Sequence, residues 1–443
     1  MMRKAMLGIW AAISLTTLAQ EKYVKRIFVL NEGHYDYWTG QTVVPVTVGY
    51  IDMNTRQYVS FDTIWGARFG VDMVLEDSFL YVTADTFIIK YNVNTLERVA
   101  EAHALGVRGL AISGQRLFVS RGELPSLGCC NSYLQVYDKN TLQFIEEADT
   151  STSPLKWHSD DVLVLGDSVY VAVNNGFVWG HYVGYIAVFP VSNINNMRLI
   201  DLGPDGINPE NLMTDGQNVY AFNNKDFSTS SVSTYARVAG TVNTVDLGLP
   251  SGCTGSALVN EQIYFQPYYA DSSWTTRATF MLRTPTTNLG VLDTLPLNKT
   301  FYEISHDTLN EYLWLTETDF QNWGIVIAYR VSDYSFVDAF VVGVSPGALA
   351  FEYGEKITVG VEQIDNDEMV SITQLDNRTV MIINNGDVPI EHIAIMDVAG
   401  KVIYNNVTEG KRIIVKRFPS VGTYLVSIQL SDGTKLTKQV LIQ

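Results

Sequence analysis

One short pattern recurs seven times along the chain, an apolar pair or triplet with an aromatic at its centre. The copies are Arg26-Ile27-Phe28-Val29, Phe79-Leu80-Tyr81-Val82, Arg116-Leu117-Phe118-Val119, Ser168-Val169-Tyr170-Val171, Asn218-Val219-Tyr220-Ala221, Gln262-Ile263-Tyr264-Phe265 and Tyr312-Leu313-Trp314-Leu315. The aromatics lie between 37 residues (Tyr81 to Phe118) and 53 residues (Phe28 to Tyr81) apart. This is the period of a four-stranded propeller blade rather than of a helical or leucine-rich repeat. Before the later aromatic strands stand another short apolar segment and a tight turn, as in Val71-Asp72-Met73-Val74-Leu75 followed by Glu76-Asp77-Ser78. Two such strands joined by such a turn form a hairpin. After the aromatic strand come a longer polar loop, an alternating strand and a second tight turn, as in Tyr133 to Tyr137 followed by Asp138-Lys139-Asn140-Thr141. A fourth strand closes the unit, expected at Leu96 to Val99 and Leu142 to Ile145 in two of the copies.

A single antiparallel sheet of this kind cannot bury both faces, and seven of them are best satisfied by radial stacking. The first unit begins directly on its aromatic strand. Its missing partner appears at the far end of the repeat, at Pro346-Gly347-Ala348-Leu349-Ala350-Phe351. Pairing Ala348 to Phe351 beside Ile27 to Leu30 closes the ring and hides both edges. The expected fold is therefore all-β: a seven-bladed β-propeller with a small C-terminal β-sandwich domain. The expected boundaries are a signal peptide at 1–19, the propeller at 24–354, a linker at 355–376 and the sandwich at 377–443. The seven aromatics belong to the core.

Charge narrows the function classes. The 443 residues carry a formal net charge of −17, and removing a leader that holds Arg3 and Lys4 takes this to −19. Such a surface repels nucleic acid and anionic lipid, and its simplest consequence is solubility. The first residues have the layout of a secretory signal: Arg3 and Lys4, then apolar Ala5 to Leu15, then Thr17-Leu18-Ala19 before Gln20. Three cysteines, Cys129, Cys130 and Cys253, do not make a disulfide framework. The adjacent pair can bridge, one of them can pair with Cys253, or all three can be structurally indifferent. No cofactor or metal is expected, because the six histidines have no metal-ligand spacing and no phosphate loop or Gly-x-Ser-x-Gly elbow occurs. Asp365-Asn366-Asp367-Glu368 lacks the spacing and glycine of a calcium loop and reads as a solvated stretch.

In a propeller the loops after the aromatic strands and those between blades share one face, and the tight turns share the other. The long loops concentrate aromatic, Asn and Asp residues suited to stacking on a planar or sugar-like ligand and hydrogen-bonding it. The binding candidates are Asn31, His34, Tyr37, Trp38, Arg121, Trp157, His158, Asp160, Asn174, Trp179, Asn223, Tyr268, Trp274, Glu317 and Trp323. For catalysis the strongest segment is Trp157-His158-Ser159-Asp160-Asp161, where a histidine beside carboxylates can serve acid/base work. Hydrogen bonding at the channel mouth is the plainer account of the same residues.

The repeats resemble the secreted YncE-like propellers, whose third strands read I-x-V-x-D/N-x-x-T; Phe87 to Thr95 and Tyr133 to Thr141 fit that pattern well, whereas Ser231 to Thr241 and Thr279 to Thr287 fit it poorly. The last block resembles the type A C-terminal sorting domain of type IX secretion cargo. The matching residues are Asp397, Gly400 and Lys401 in MDVAGKVIYN, Gly422 and Tyr424 in VGTYLVSI, and Lys438 in TKQVLI. These resemblances imply export through the periplasm to the outer cell surface, with the type IX machinery as a partner. They also imply a non-enzymatic propeller that captures a small molecule, a glycan or a protein on its loop-rich face. A corrinoid-like cofactor handed to an outer-membrane transporter is one candidate. The alternative is a secreted propeller hydrolase or lyase acting on polysaccharide through carboxylates such as Asp160, Asp161, Glu210 or Glu317.

Overall fold

The computed structural model describes residues 20–268, 280–357, 370–376, 379–384, 388–397, 401–416 and 418–442. The signal-like segment 1–19, Trp274, Gly400 and the acidic cluster 365–368 lie outside the described residues.

Residues Lys22–Lys356 make up one compact unit. It contains seven four-stranded antiparallel sheets, each ordered from the innermost strand outwards. Blade 1 has strands Pro346–Ile357, Gln20–Asn31, Val46–Asp52 and Gln57–Ile64; blades 2 and 3 open on Asp72–Glu76 and Val107–Ser113. Blades 4 to 7 open on Ser159–Leu165, Pro209–Thr214, Ser251–Val259 and Ile304–Asp307. The strand that the first blade lacks at its own end is supplied by Pro346–Ile357, which lies beside Gln20–Asn31. The ring is thus closed where the sequence pattern places the closure.

The seven recurring aromatics all sit on second strands and are all buried, from Phe28 and Phe118 at 0% exposure to Tyr170 and Tyr220 at 3%. β-Branched and aromatic residues fit a pleated surface covered on both sides. Burying each ring between blades stabilises the fold by roughly 1.5–3 kcal/mol. Phe28 shares a core with Met73, Leu80 and Tyr91 of blade 2, and Trp314 of blade 7 shares one with Ile27 and Val29 of blade 1. The hydrophobic stacking therefore continues through the closure.

The turn between third and fourth strands has a common construction. Asp52, Asn92 and Asp138 each accept hydrogen bonds from the backbone N–H groups two and three residues on. The residue after that, Arg56, Leu96 or Leu142, has φ between +55° and +62° and donates its N–H back to the carbonyl of the Asp or Asn. This left-handed residue delays the outermost strands, which run Glu97–His103 and Phe144–Asp149 rather than from Leu96 and Leu142 as the sequence reading expects. Blade 6 has the shortest outer strand, Asp293–Thr294.

The other compact unit contains Ile357–Gln443. Its strands form a three-stranded and a four-stranded sheet around Val380, Ile382, Ile393, Ile395, Tyr424, Val426 and Ile428. Val370–Asp376, read from the sequence as linker, is instead its first strand and pairs with Thr379–Asn384. Asp397 accepts from the Lys401 N–H at 2.9 Å, Gly422 holds φ +144°, and the buried Tyr424 hydroxyl donates to the Ser420 carbonyl at 2.8 Å. Lys438 lies opposite Val426 on the last strand. No helix among the described residues is long and apolar enough to cross a membrane.

Candidate functional site

The innermost strands enclose a channel of about 360 Å³. In blades 2 to 7 the residue opposite the recurring aromatic is Val74, Ala111, Leu163, Met213, Ala257 or Ser305. Three residues before it stands Val71, Arg108, Asp160, Glu210, Thr254 or Tyr302, and two before it Asp72, Gly109, Asp161, Asn211, Gly255 or Glu303. All twelve line the channel, so the residues form two stacked rings. Glu32, Gly347 and Ala348 complete the circle from blade 1.

The rings are built for close approach and for satisfying strand edges. A Cβ on Gly109 would come within 2.8 Å of the Asp160 carbonyl, so only glycine lets those two innermost strands pack. The channel-facing edge of an innermost strand leaves N–H groups without a ladder partner. Asp72 reaches across to accept from the Leu110 N–H of the next blade at 2.9 Å, and Asp161 does the same for Leu212 at 2.7 Å.

This arrangement concentrates carboxyl groups. Burial pushes Glu32 and Asp161 up to about 7 and Glu210 and Glu303 up to about 8, and Asp72 is raised too. Neighbouring carboxylates reinforce burial at Asp72, Asp161, Glu210 and Glu303. Arg108 is the cation in these rings: it pairs with Asp160 at 3.0 Å and lies 5.4 Å from the centre of the Phe177 ring.

Above the channel, on the loop-rich face, a bowl of about 480 Å³ shares Glu32, Phe69, Arg108, Asp160 and Glu210 with it. Its aromatic wall consists of Tyr35 and Tyr37 of blade 1, Phe69, Phe177, Phe227 and Phe320. Tyr35 and Tyr37 pack edge to face at 4.9 Å on a small hairpin of His34–Asp36 and Gln41–Val44 inserted into the first blade's loop. The polar floor is cross-linked. Asn174 donates to Asp160 at 3.2 Å, Asn224 donates to Glu210, and Arg68 clasps both Asp85 and Glu123. Asn208 is 1% exposed, and its Oδ1, which no donor among the described residues reaches, lies at this floor.

Of the residues expected from the sequence to bind, His34, Tyr37, Asp160 and Asn174 line the bowl. Asn31, Arg121 and Asn223 do not. They stand three residues after the recurring aromatic and are still inside the strand, where both faces are covered by neighbouring blades. Asn31 donates to Tyr58 and Thr47, Arg121 to the carbonyls of Leu105 and Ser132, and Asn223 to Ser231 and Ser233. His158 is 2% exposed between Tyr133 and Phe177 and does not line the bowl, and burial lowers its pKa. Trp157 stacks on Tyr185, and Glu317 pairs with Lys299. Tyr268 sits at the end of blade 6 with its N–H on the Pro250 carbonyl. Trp38, Trp179 and Trp323 are 99%, 77% and 70% exposed and outside the bowl, although Trp179 stacks face to face on Phe227 of its wall. Cys129 and Cys130 are paired with each other.

Sequence reasoning missed Glu32, Arg68, Phe69, Arg108 and Asn208. A signal for Arg108, Asp160 and Glu210 was present in the repeats: each is a charged residue at the same position of an innermost strand.

No protein-family model and no curated protein matches the chain. Among solved structures it is similar to the extracellular domain of a one-component system from B. thetaiotaomicron, with 10% identity and a TM-score of 0.50 over 94% of this chain. The chain spans 57% of that protein's length. It is also similar to a protein from Lactobacillus plantarum, with 12% identity and a TM-score of 0.50 over 74% of this chain and all of the other. At these identities the likeness is one of fold, and the fold is that of a β-propeller.

Proposed function

We propose that the protein is a ligand-binding propeller displayed at the outer cell surface, and that the bowl on its loop-rich face receives a ring-shaped, hydroxyl-bearing molecule such as a sugar unit of a glycan. The observation that carries this reading is the pairing of an aromatic wall with a floor that offers both kinds of hydrogen-bonding group. Aromatic faces stack on apolar ring faces, and a few convergent polar groups fix orientation. Asn208 Oδ1 is a buried acceptor with no donor among the described residues, a group whose desolvation a ligand hydroxyl would offset. Glu32 and Glu210 retain protons into the neutral range and so can donate as well as accept. Titration of the full secreted chain with a panel of neutral and charged oligosaccharides, followed by calorimetry, tests this. Replacing Phe177 and Phe227 together by Ala is expected to weaken binding by about tenfold or more, at roughly 1 kcal/mol or more per stacked ring. Undiminished binding by that variant rejects the bowl as the site.

A second reading rests on one specific feature, the buried Glu210, its pKa pushed up to about 8, in one cleft with the ion-paired Asp160. A neutral acid next to a charged carboxylate is the pairing that glycoside hydrolysis uses. Release of reducing ends from a polysaccharide, lost in Glu210→Gln, would favour hydrolysis over capture.

Secretion is proposed from the leader-like segment and from the resemblance of the C-terminal unit to type IX sorting domains, with the type IX machinery, and an outer-membrane transporter, as candidate partners. Deleting residues 377–443 is expected to trap the propeller in the periplasm, read out by fractionation and protease shaving of whole cells. Surface display of the truncated chain rejects the sorting role.

A further inference from the structure

A cavity of about 610 Å³ lies between blades 4 and 5 on the face of the tight turns. Two arginines line it, and no Asp or Glu does. In a chain of net charge −17 this is an unusual local excess of positive charge. The arginines are held by a reciprocal contact across the blade interface. Arg198 of blade 4 donates to the Tyr235 hydroxyl of blade 5 at 2.6 Å, and Arg237, just past the third strand of blade 5, donates to the Tyr170 hydroxyl of blade 4 at 2.9 Å. Each guanidinium also lies over the ring it bonds, at 5.7 and 6.0 Å. Both tyrosines are buried at 3% exposure, so the two cations are fixed rather than free to sweep the surface.

The repeat supplies internal controls. Tyr170 is one of the recurring aromatics, and Tyr81 and Tyr264 hold the same place in blades 2 and 6. The Tyr81 hydroxyl donates to the Lys139 backbone carbonyl of the next blade at 3.1 Å, and the Lys139 ammonium is neutralised by Glu76 at 2.6 Å. The Tyr264 hydroxyl meets Tyr334 of the next blade, and Arg283 beside them is neutralised by Asp293 at 2.6 Å. At the blade 4 and 5 interface the corresponding place carries two cations, and among the described residues neither has a carboxylate within 4 Å. Asp215, adjacent in sequence to the cavity's Gly216, spends its oxygens on the N–H groups of Gln217 and Asn218, the Asn218 amide and the Tyr220 hydroxyl. Each guanidinium makes a single side-chain hydrogen bond, which leaves most of its five donors uncommitted. A planar guanidinium fork matches a tetrahedral oxyanion, and two forks on one cavity match a doubly charged one. Pro190 and Val238 add apolar wall beside them.

We propose that this cavity is an anion-binding site, separate from the loop-face bowl, which takes a phosphate or sulfate ester carried on an apolar body. Calorimetric titration of the full chain with phenyl phosphate, phenyl sulfate and the neutral benzyl alcohol tests it. The expected result is saturable binding of one or both esters and none of the alcohol, weakened by added salt. Which ester binds more tightly distinguishes a phosphorylated from a sulfated source. Arg198→Gln and Arg237→Gln should each weaken binding by about tenfold, and the double variant should abolish it. The corresponding Lys variants should retain part of it, and Phe177→Ala, on the other face, should leave it unchanged. Two results overturn the proposal: no saturable binding of either ester at roughly 10 mM, or undiminished binding by a double Gln variant that melts at the wild-type temperature.

Discussion

Raising the pH from about 5 to 9 is expected to lower the melting temperature of the propeller, and replacing Glu210 and Glu303 together by Gln is expected to flatten that fall. The cause is the ring of channel carboxyls. In the unfolded chain these groups release their protons near their ordinary values, whereas in the folded channel Glu32 and Asp161 keep theirs to about 7 and Glu210 and Glu303 to about 8. Over that window the folded state binds more protons than the unfolded one, so stability falls as pH rises. The contribution of these groups is fully present below the unfolded values and is lost by about pH 8. With one pKa unit equivalent to about 1.4 kcal/mol, several raised groups give a loss on the order of several kcal/mol. Scanning calorimetry at constant ionic strength, from pH 5 to 9, reads it directly. A melting temperature that stays level or rises over this range, or a double Gln variant with the wild-type slope, contradicts the account.

Arg68→Met is expected to cost about 3–5 kcal/mol, the largest effect for any single change at the site. Arg68 clasps Asp85, which is 4% exposed, and Glu123, which is 2% exposed. Hydrogen bonding to Asp85, against the cost of burial, and then to Glu123 holds the guanidinium protonated beyond its usual range. Removing the cation leaves two buried carboxylates with only a backbone N–H each and no counter-ion, a larger penalty than the net worth of the ion pairs. Adding Asp85→Asn and Glu123→Gln to the same chain should therefore restore much of the loss. Denaturant titration of the single and triple variants measures both effects. A single variant within about 1 kcal/mol of wild type, or a triple variant no better than the single one, shows that the clasp has no such role. Arg68 lines the bowl and joins the loops of blades 2 and 3, so the same change should loosen ligand binding beside Phe69 and Tyr37.

The channel also explains why some residues were legible in the sequence and others were not. Phe28, Tyr81 and Trp314 announce themselves because a strand covered on both faces needs a large ring at its centre, and the need recurs with every blade. Leu96 and Leu142 were misplaced by only a residue or two, because their apolar side chains read as strand while their backbone closes a turn with positive φ. Val370–Asp376 was hidden by the acidic cluster before it, though Val370 and Ile372 alternate as a strand should. The exposed tryptophans attracted attention as binding residues, yet Trp38 and Trp323 remain in solvent and smaller-named neighbours such as Phe177 and Phe320 turn into the bowl.

What the sequence determined by itself is the number of blades, the place of ring closure, the buried aromatic of each blade and the division of loops between two faces. All of these follow from local period and turn chemistry, which act over a few residues. What only the tertiary structure decided is which charges meet. Arg108, Asp160, Glu210 and Glu303 lie in four different blades, and the repeat pattern gives their strand positions but not which of them meet. They become neighbours because two adjacent strand positions are carried to the same two depths around one axis. Their shared burial then raises the carboxyl pKa values and sets the polar floor beneath the aromatic wall.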